Sequence, residues 1–244
     1  MGSFEQSLHL AWQLIVGGDT ALFSVVGLSL QVSATATVLG SLAGVLMGAG
    51  LAVLRFPGHR AVVALLNTLL ALPSVVVGLA VYLLLSRSGP LGSWGILFTP
   101  AAMVVAQTIL VLPIVTALTR QLIADAASGN AEQLRSMGAG RAATALLLLL
   151  HERYSLLTVL LTAFGRAVSE VGAVMIVGGN IAGVTRVMTT AIALETSKGD
   201  LPLALALGLV LLLVVAMLNG VIQALQWWQR RFEGSALNSA KATS

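Results

Sequence analysis

Two ionisable residues stand where water is scarce. Arg166 and Glu170 lie inside residues 154–177, a run otherwise free of charge and long enough to cross a bilayer. Four positions apart on a helix, they share a face and can pair. An ionised side chain near mid-membrane costs at least ~2.5–3.5 kcal/mol unless it is paired or wetted. Such a pair either ties a helix bundle together or lines a polar route through it.

No other reactive side chains form a constellation. His9, His59 and His151 sit in separate segments with neither metal-ligand spacing nor a nucleophile partner. The chain has no cysteine, so disulfides and thiolate metal sites are ruled out. Gly138-Ala139-Gly140-Arg141-Ala142-Ala143 fits a relaxed dinucleotide fingerprint. No strand pattern precedes it, however, and no acidic residue follows about twenty positions on. Lys198 and Lys241 are the only lysines, and no glycine-rich run ends in Gly-Lys-Ser or Gly-Lys-Thr. A P-loop for ATP is therefore excluded. Neither catalytic residues nor a metal or cofactor are expected.

The elements that would position Arg166 and Glu170 are membrane spans. Of 244 residues, 57% are hydrophobic and 9% charged, with mean hydropathy +0.97; soluble domains carry roughly 25% charged residues. Residues 20–54, 61–86, 88–119 and 201–229 contain no Asp, Glu, Lys or Arg. With 154–177 they predict an all-α integral membrane protein with five transmembrane helices, at about 22–54, 61–86, 99–119, 154–177 and 201–228. Four or six spans would need 88–119 or 178–200 to be read differently.

Charge orients the bundle. With the N-terminus outside, cytoplasmic segments hold Arg55, Arg60, Arg120, Arg135, Arg141, Arg153, Arg230, Arg231 and Lys241. External ones hold Arg87, Arg186 and Lys198, and Arg166 stays within a span. Nine against three fits the positive-inside rule for an N-out, C-in chain. It also explains net charge +4 and pI ≈ 10.3 without nucleic acid, since no basic cluster exceeds the pair Arg230-Arg231. No Lys or Arg precedes the first span, so no cleavable signal is expected.

Residues 1–18 carry Leu8, Trp12, Leu14 and Ile15, spaced to give one apolar face of an interfacial helix. The first span repeats small residues at Gly40, Gly44 and Gly48, extended by Ala36 and Ala52. This is a flat stripe for close helix packing within the chain or at a dimer interface. Pro73 should kink the second span, and the third holds Gln107 and Pro113. Residues 120–153 form a cytoplasmic loop. Within it the break Ser128-Gly129-Asn130 starts a short helix, with Asn130 as N-cap, Gln133 at N3 and Glu132 in the first turn. Gly138 and Gly140 then turn the chain into an apolar helix at 142–150. Asp200 caps the last span, and Trp227-Trp228 with Arg230-Arg231 anchors its inner end. The tail, 230–244, is cytoplasmic and expected to be irregular from Phe232.

Two strings carry a resemblance. Glu132-Gln133-Leu134-x-x-x-Gly138 resembles the Glu-Ala-Ala-x-x-x-Gly loop of ABC importer permeases. Two alanines are replaced, and His151 stands at the family's later proline. Gly165-Arg166-Ala-Val-Ser-Glu170-Val-Gly172, continuing through Gly178-Gly179-Asn180 and Gly183 to Thr185-Arg186-x-Met188-Thr189-Thr190-Ala191-Ile192, is similar to permeases of tungstate-type oxyanion importers. Molybdate permeases share the Gly/Glu/Asn skeleton.

That resemblance implies a type I ABC permease domain over residues 19–229, acting as a homodimer in a prokaryotic inner membrane. It also implies separate ATPase subunits on the cytoplasmic loop and an external oxyanion-binding protein. Asn130, Glu132, Arg135, Gly138 and Gly140 would couple to the ATPase, and Arg166, Glu170 and Asn180 would line the pathway. The rivals are a self-contained secondary transporter or channel, which calls for inverted repeats and broken helices, an intramembrane enzyme, and a membrane scaffold.

Overall fold

A computed structural model describes residues 3–136 and 140–242, with side chains described for 5–128 and 140–227. Ten α-helices and one 3₁₀ turn appear among the described residues, and no strand. They are α1 (Ser3–Val16), α2 (Thr20–Val53), α3 (His59–Leu70), α4 (Ser74–Leu85), α5 (Pro100–Ser136), α6 (Arg141–His151), α7 (Arg153–Val168), α8 (Gly172–Gly178), α9 (Met188–Lys198) and α10 (Leu201–Ala242).

α2, α5 and α10 are each long and apolar enough to span a membrane over Thr20–Val53, Pro100–Ser128 and Leu201–Trp227. Two bent pairs, α3 with α4 and α6 with α7, bring the number of candidate spans to as many as five. Large apolar side chains point outward where a soluble protein would bury them: Leu42 and Leu46 on α2, Leu79 and Leu83 on α4, Leu212, Leu213 and Met217 on α10. Such surfaces suit acyl chains rather than water.

The first span starts at Asp19, whose carboxylate accepts from the Leu22 amide at 2.8 Å and caps α2. Its small-residue stripe is filled from within the chain. A Cβ on Gly40 would lie 2.9 Å from Val111 Cγ1, one on Gly44 2.9 Å from Val115 Cβ, and one on Gly48 2.6 Å from the Thr116 carbonyl. The stripe therefore lets α2 and α5 approach backbone to backbone, and it is occupied rather than offered to a partner.

Proline acts differently in two spans. Pro73 ends the helical run outright: α3 and α4 meet there at 98°, with Pro73 extended (ψ 128°) as the N-cap of α4. Pro lacks an N–H and disfavours helix at the residue before it. Pro113 sits inside a continuous α5. Where one kinked helix was expected at 61–86, the structure has a corner.

Three further expectations are corrected. α5 runs unbroken through residues 128–130 to Ser136, so Asn130 lies inside a helix and is not an N-cap. The Ser128 hydroxyl bonds back to the Asp125 carbonyl at 2.7 Å, which satisfies it within the helix. One glycine costs only about 1 kcal/mol against alanine, too little to break so long an element. The run at 154–177 is not one helix, because α7 stops at Val168 and α8 begins at Gly172. Finally, α10 continues to Ala242, so the tail is helical there. Ala236, Ala240 and Ala242 favour helix, and no proline stops it.

α1 packs along α10 with Ala11 buried and Leu14 and Ile15 against the α2–α10 core. Leu8 and Trp12 face outward, Trp12 at 62% exposure, so the expected apolar face is split between core and surface. Asp200 caps α10 as expected, accepting from the Leu203 amide at 3.3 Å.

Candidate functional site

The break between α7 and α8 is made by Glu170. The Ser169 hydroxyl turns back to the Gly165 carbonyl at 3.0 Å as α7 ends. Glu170 follows at 4% exposure with every polar group engaged. Its Oε1 accepts from the Val171 and Ala173 amides at 3.1 and 3.3 Å, taking up the first donors of α8. Its Oε2 accepts from Arg166 Nη1 at 2.9 Å. The Thr189 hydroxyl, on α9, donates to its carbonyl at 2.7 Å. The pair expected from i, i+4 spacing therefore forms, across the end of a helix rather than along one. A buried carboxylate with one cation and two amides is compensated in the way such groups must be.

Arg166 is the accessible partner, with its side chain 53% exposed. It shares a cavity of about 40 Å³ with Glu170, Ala167, Gln107, and Leu69, Leu70 and Leu72 from the α3–α4 corner. The two helix breaks are adjacent. A Cβ on Gly172 would stand 2.7 Å from Val75 Cγ2, and one on Gly78 2.7 Å from Ala173 Cα. Only glycine lets α8 sit this close to the start of α4.

Gln107 is the residue that charge-based reasoning passed over. It is 3% exposed, and its Nε2 donates to the Ala167 carbonyl at 3.0 Å, tying α5 to the end of α7. Its Oε1 is buried with no hydrogen-bond partner among the described residues, an arrangement that costs about 1–3 kcal/mol. The available signal was one carboxamide within the uncharged run 88–119.

Asn180 is not among the residues lining that cavity. It adopts a left-handed φ of +50° beyond α8 and donates Nδ2 to the Thr190 carbonyl at 3.3 Å, pinning the 179–187 loop to α9. A second buried carboxylate lies nearby. Glu195 takes Lys198 Nζ at 3.0 Å and faces Arg186 Nη1 at 3.8 Å, and Arg186 Nη2 reaches the Asn180 carbonyl at 3.5 Å. Asn180 thus belongs to a loop-bracing cluster.

Of the expected coupling residues, Asn130, Glu132 and Arg135 ride on the end of α5, and Gly138 lies outside the described residues. Gly140 is the N-cap of α6 at φ −68°, ψ 163°. Among the described residues, nothing stands within 4 Å of where its Cβ would be. That conformation is open to any residue, so this backbone does not itself call for glycine at 140.

No family model matches the chain. Curated relatives do. It is 41% identical over 226 residues to a tungstate uptake system permease protein of Peptoclostridium acidaminophilum, covering 93% of this chain and 99% of that one. It is 40% identical over 207 residues to a "probable anion ABC transporter permease protein" of Haloferax volcanii, covering 83% and 89%. A tungstate uptake system permease protein of Campylobacter jejuni is 38% identical over 223 residues, covering 91% and 92%.

Proposed function

The chain belongs to the ABC transporter permease family, as a multi-pass protein of the cell membrane, and from that premise we propose that it forms the membrane pathway of a tungstate importer. The observation that carries the substrate is full-length likeness to two tungstate uptake permeases. Molybdate, a tetrahedral oxyanion of the same charge, is the nearest alternative cargo.

The working assembly is a homodimer of five-span, N-out, C-in chains, with the permease domain at 19–229, an interfacial helix at 1–18 and a cytoplasmic tail at 230–244. The cation asymmetry supports this orientation. Hydrolysis of ATP takes place in separate ATPase subunits, which grip the cytoplasmic region 120–153 through Asn130, Glu132, Arg135 and Gly138. An external binding protein delivers the anion. Closure of the ATPases draws the paired coupling segments together, and the helices continuous with them swing. Since α5 carries both residue 132 and Gln107 on one continuous helix, a displacement at its cytoplasmic end is transmitted to the cavity beside Arg166. There the guanidinium meets the passing anion while the buried Glu170 limits its residence.

Purification in detergent with the ATPase and binding protein, followed by reconstitution into liposomes, tests the reading. Recovery of a complex whose ATP hydrolysis and tungstate uptake both rise with loaded binding protein is expected. A chain that transports tungstate without ATPase subunits would overturn it.

A further inference from the structure

α6 is apolar on both of its sides. Its inner side, with Leu148 buried and Ala145 and Leu149 beside it, packs on Ala49, Ala52 and Val53 of α2 and on Ile123, Ala126 and Ala127 of α5. Its outer side exposes Leu146, Leu147 and Leu150, a row at helical spacing. A helix that is apolar all round needs cover on its outer side too. Cations stand at both ends of that row: Arg141 opens α6 and Arg153 follows it, both exposed. Arg153 lies 4.7 Å over the Tyr154 ring and donates Nη1 to the Leu150 carbonyl at 3.3 Å. The one acid between them, Glu152, accepts from the Ser155 hydroxyl at 2.9 Å. α6 meets α7 at 77°, so where α7 crosses the membrane, α6 runs close to its plane. The stretch of α2 that it covers ends at Val53, two residues before the cation Arg55, which sets its depth at the headgroups.

We propose that α6 is a lipid-binding element: it lies in the inner leaflet with Leu146, Leu147 and Leu150 among acyl chains and Arg141 and Arg153 on anionic phospholipid headgroups. This rests on the reading of α7 as a span whose Arg153 end is cytoplasmic. The exposed row continues onto α7 through Tyr154 and Leu157, so it is one surface with the lipid-facing side of that span. Tyr154 sits where interfacial aromatics collect. The long arginine stems let each guanidinium rise from acyl level to the phosphates, which it can hold by two hydrogen bonds. A protein partner would need a carboxylate placed at each end of the row. A leaflet needs no such match, because anionic lipids diffuse to the cations, and the cytoplasmic leaflet is the negative one. So anchored, α6 fixes the depth at which α7, and with it Arg166, stands in the membrane.

The test uses the permease–ATPase complex in vesicles of phosphatidylglycerol and phosphatidylcholine. The parent has no cysteine, so Leu147→Cys or Leu150→Cys can carry a single bimane fluorophore. A nitroxide on the upper acyl chain should quench either label more strongly than acrylamide in the water does. Nitroxide-labelled phosphatidylglycerol should quench about threefold better than the phosphatidylcholine analogue, and Arg141→Gln with Arg153→Gln should bring the two level. Three results overturn the proposal: stronger quenching by acrylamide, equal quenching by the two lipids with both arginines present, or labels shielded from lipid and acrylamide alike by the bound ATPase. If the labelled chains fail to insert, mass spectrometry of lipid retained by the purified complex decides. Loss of phosphatidylglycerol in Arg141→Gln with Arg153→Gln is expected; retention equal to the parent's refutes it. Labelling of Ser136→Cys from outside reports on the orientation separately. It would sink the reading of α7's direction, while the quenching ratios would still report on the lipid contact.

Discussion

A Cβ placed on Gly172 would come within 3.0 Å of the Ser74 hydroxyl, which sets the first residue of α8 against the first residue of α4. Each helix starts after a break, one at Pro73 and one at Glu170, and the two breaks brace each other. The polar cavity lies beside this junction, so its shape depends on two glycines, Gly78 and Gly172, that carry no chemistry themselves.

Enlarging either glycine should wedge the junction. Gly78→Val drives a side chain into Ala173, where even the Cβ meets backbone at 2.7 Å. Overpacking of this kind costs about 1–3 kcal/mol. Thermal unfolding of the detergent-solubilised chain should fall accordingly, and uptake should fall further than stability does. Unchanged melting in Gly78→Val would mean that α4 and α8 are not packed as described.

The ion pair should be asymmetric. Arg166→Ala leaves a 4% exposed carboxylate without its cation and should cost up to about 3–5 kcal/mol. Glu170→Gln leaves a half-exposed guanidinium that water can solvate, and keeps an oxygen for the Val171 and Ala173 amides; about 1–2 kcal/mol is expected. Arg166→Ala with Glu170→Ala should recover folding over Arg166→Ala alone but not full transport. Stability and uptake, measured side by side, check this. Normal uptake in both single variants would remove the pair from the pathway.

Much of this was legible from residue types, and the limits were physical. Spacing alone placed Arg166 opposite Glu170, and the capping by Asp200 was readable from its position. The break at 169–171 was not, because Ser169, Val171 and Gly172 are only mildly unfavourable to helix. What holds it is Thr189, 19 residues on in sequence, and the approach of Gly172 to α4. Pro73 and Pro113 looked alike in sequence, yet only one breaks its helix. Gly40, Gly44 and Gly48 announced a close approach but could not name the partner, which Val111 and Val115 of α5 supply. Broken helices had been expected of a secondary transporter rather than this family, and their presence here shows that the feature does not separate the two classes.

Orientation can be tested with single cysteines, the parent having none. Substitutions at Ser93 and Gly183 should react with an impermeant thiol reagent added outside intact cells, and those at Ser136 and Ser235 only after permeabilisation. Outside labelling at Ser136 would reverse the topology and place the end of α5 on the wrong side for an ATPase.

Residues 120–153 yield the sharpest contrast, between two glycines two residues apart. Gly140 has an ordinary backbone conformation and, among the described residues, nothing near its Cβ position, so Gly140→Ala should leave stability, ATPase binding and uptake unchanged. Gly138 is the position matched to the permease loop motif. Gly138→Val should leave the chain inserted but unable to hold its ATPase or to convert hydrolysis into uptake. If Gly138 were an ordinary loop glycine, substitution would cost only about 1 kcal/mol of local stability. Glu132→Lys reverses a charge on the last turns of α5 and should weaken the same contact, by a margin that shrinks as salt screens it. Pull-down of the ATPase by each variant, run beside tungstate uptake, reads both effects. Full retention and normal uptake in Gly138→Val would move the docking element elsewhere; loss of both in Gly140→Ala would show that Gly140 changes conformation on docking and that its extended form is only one of two.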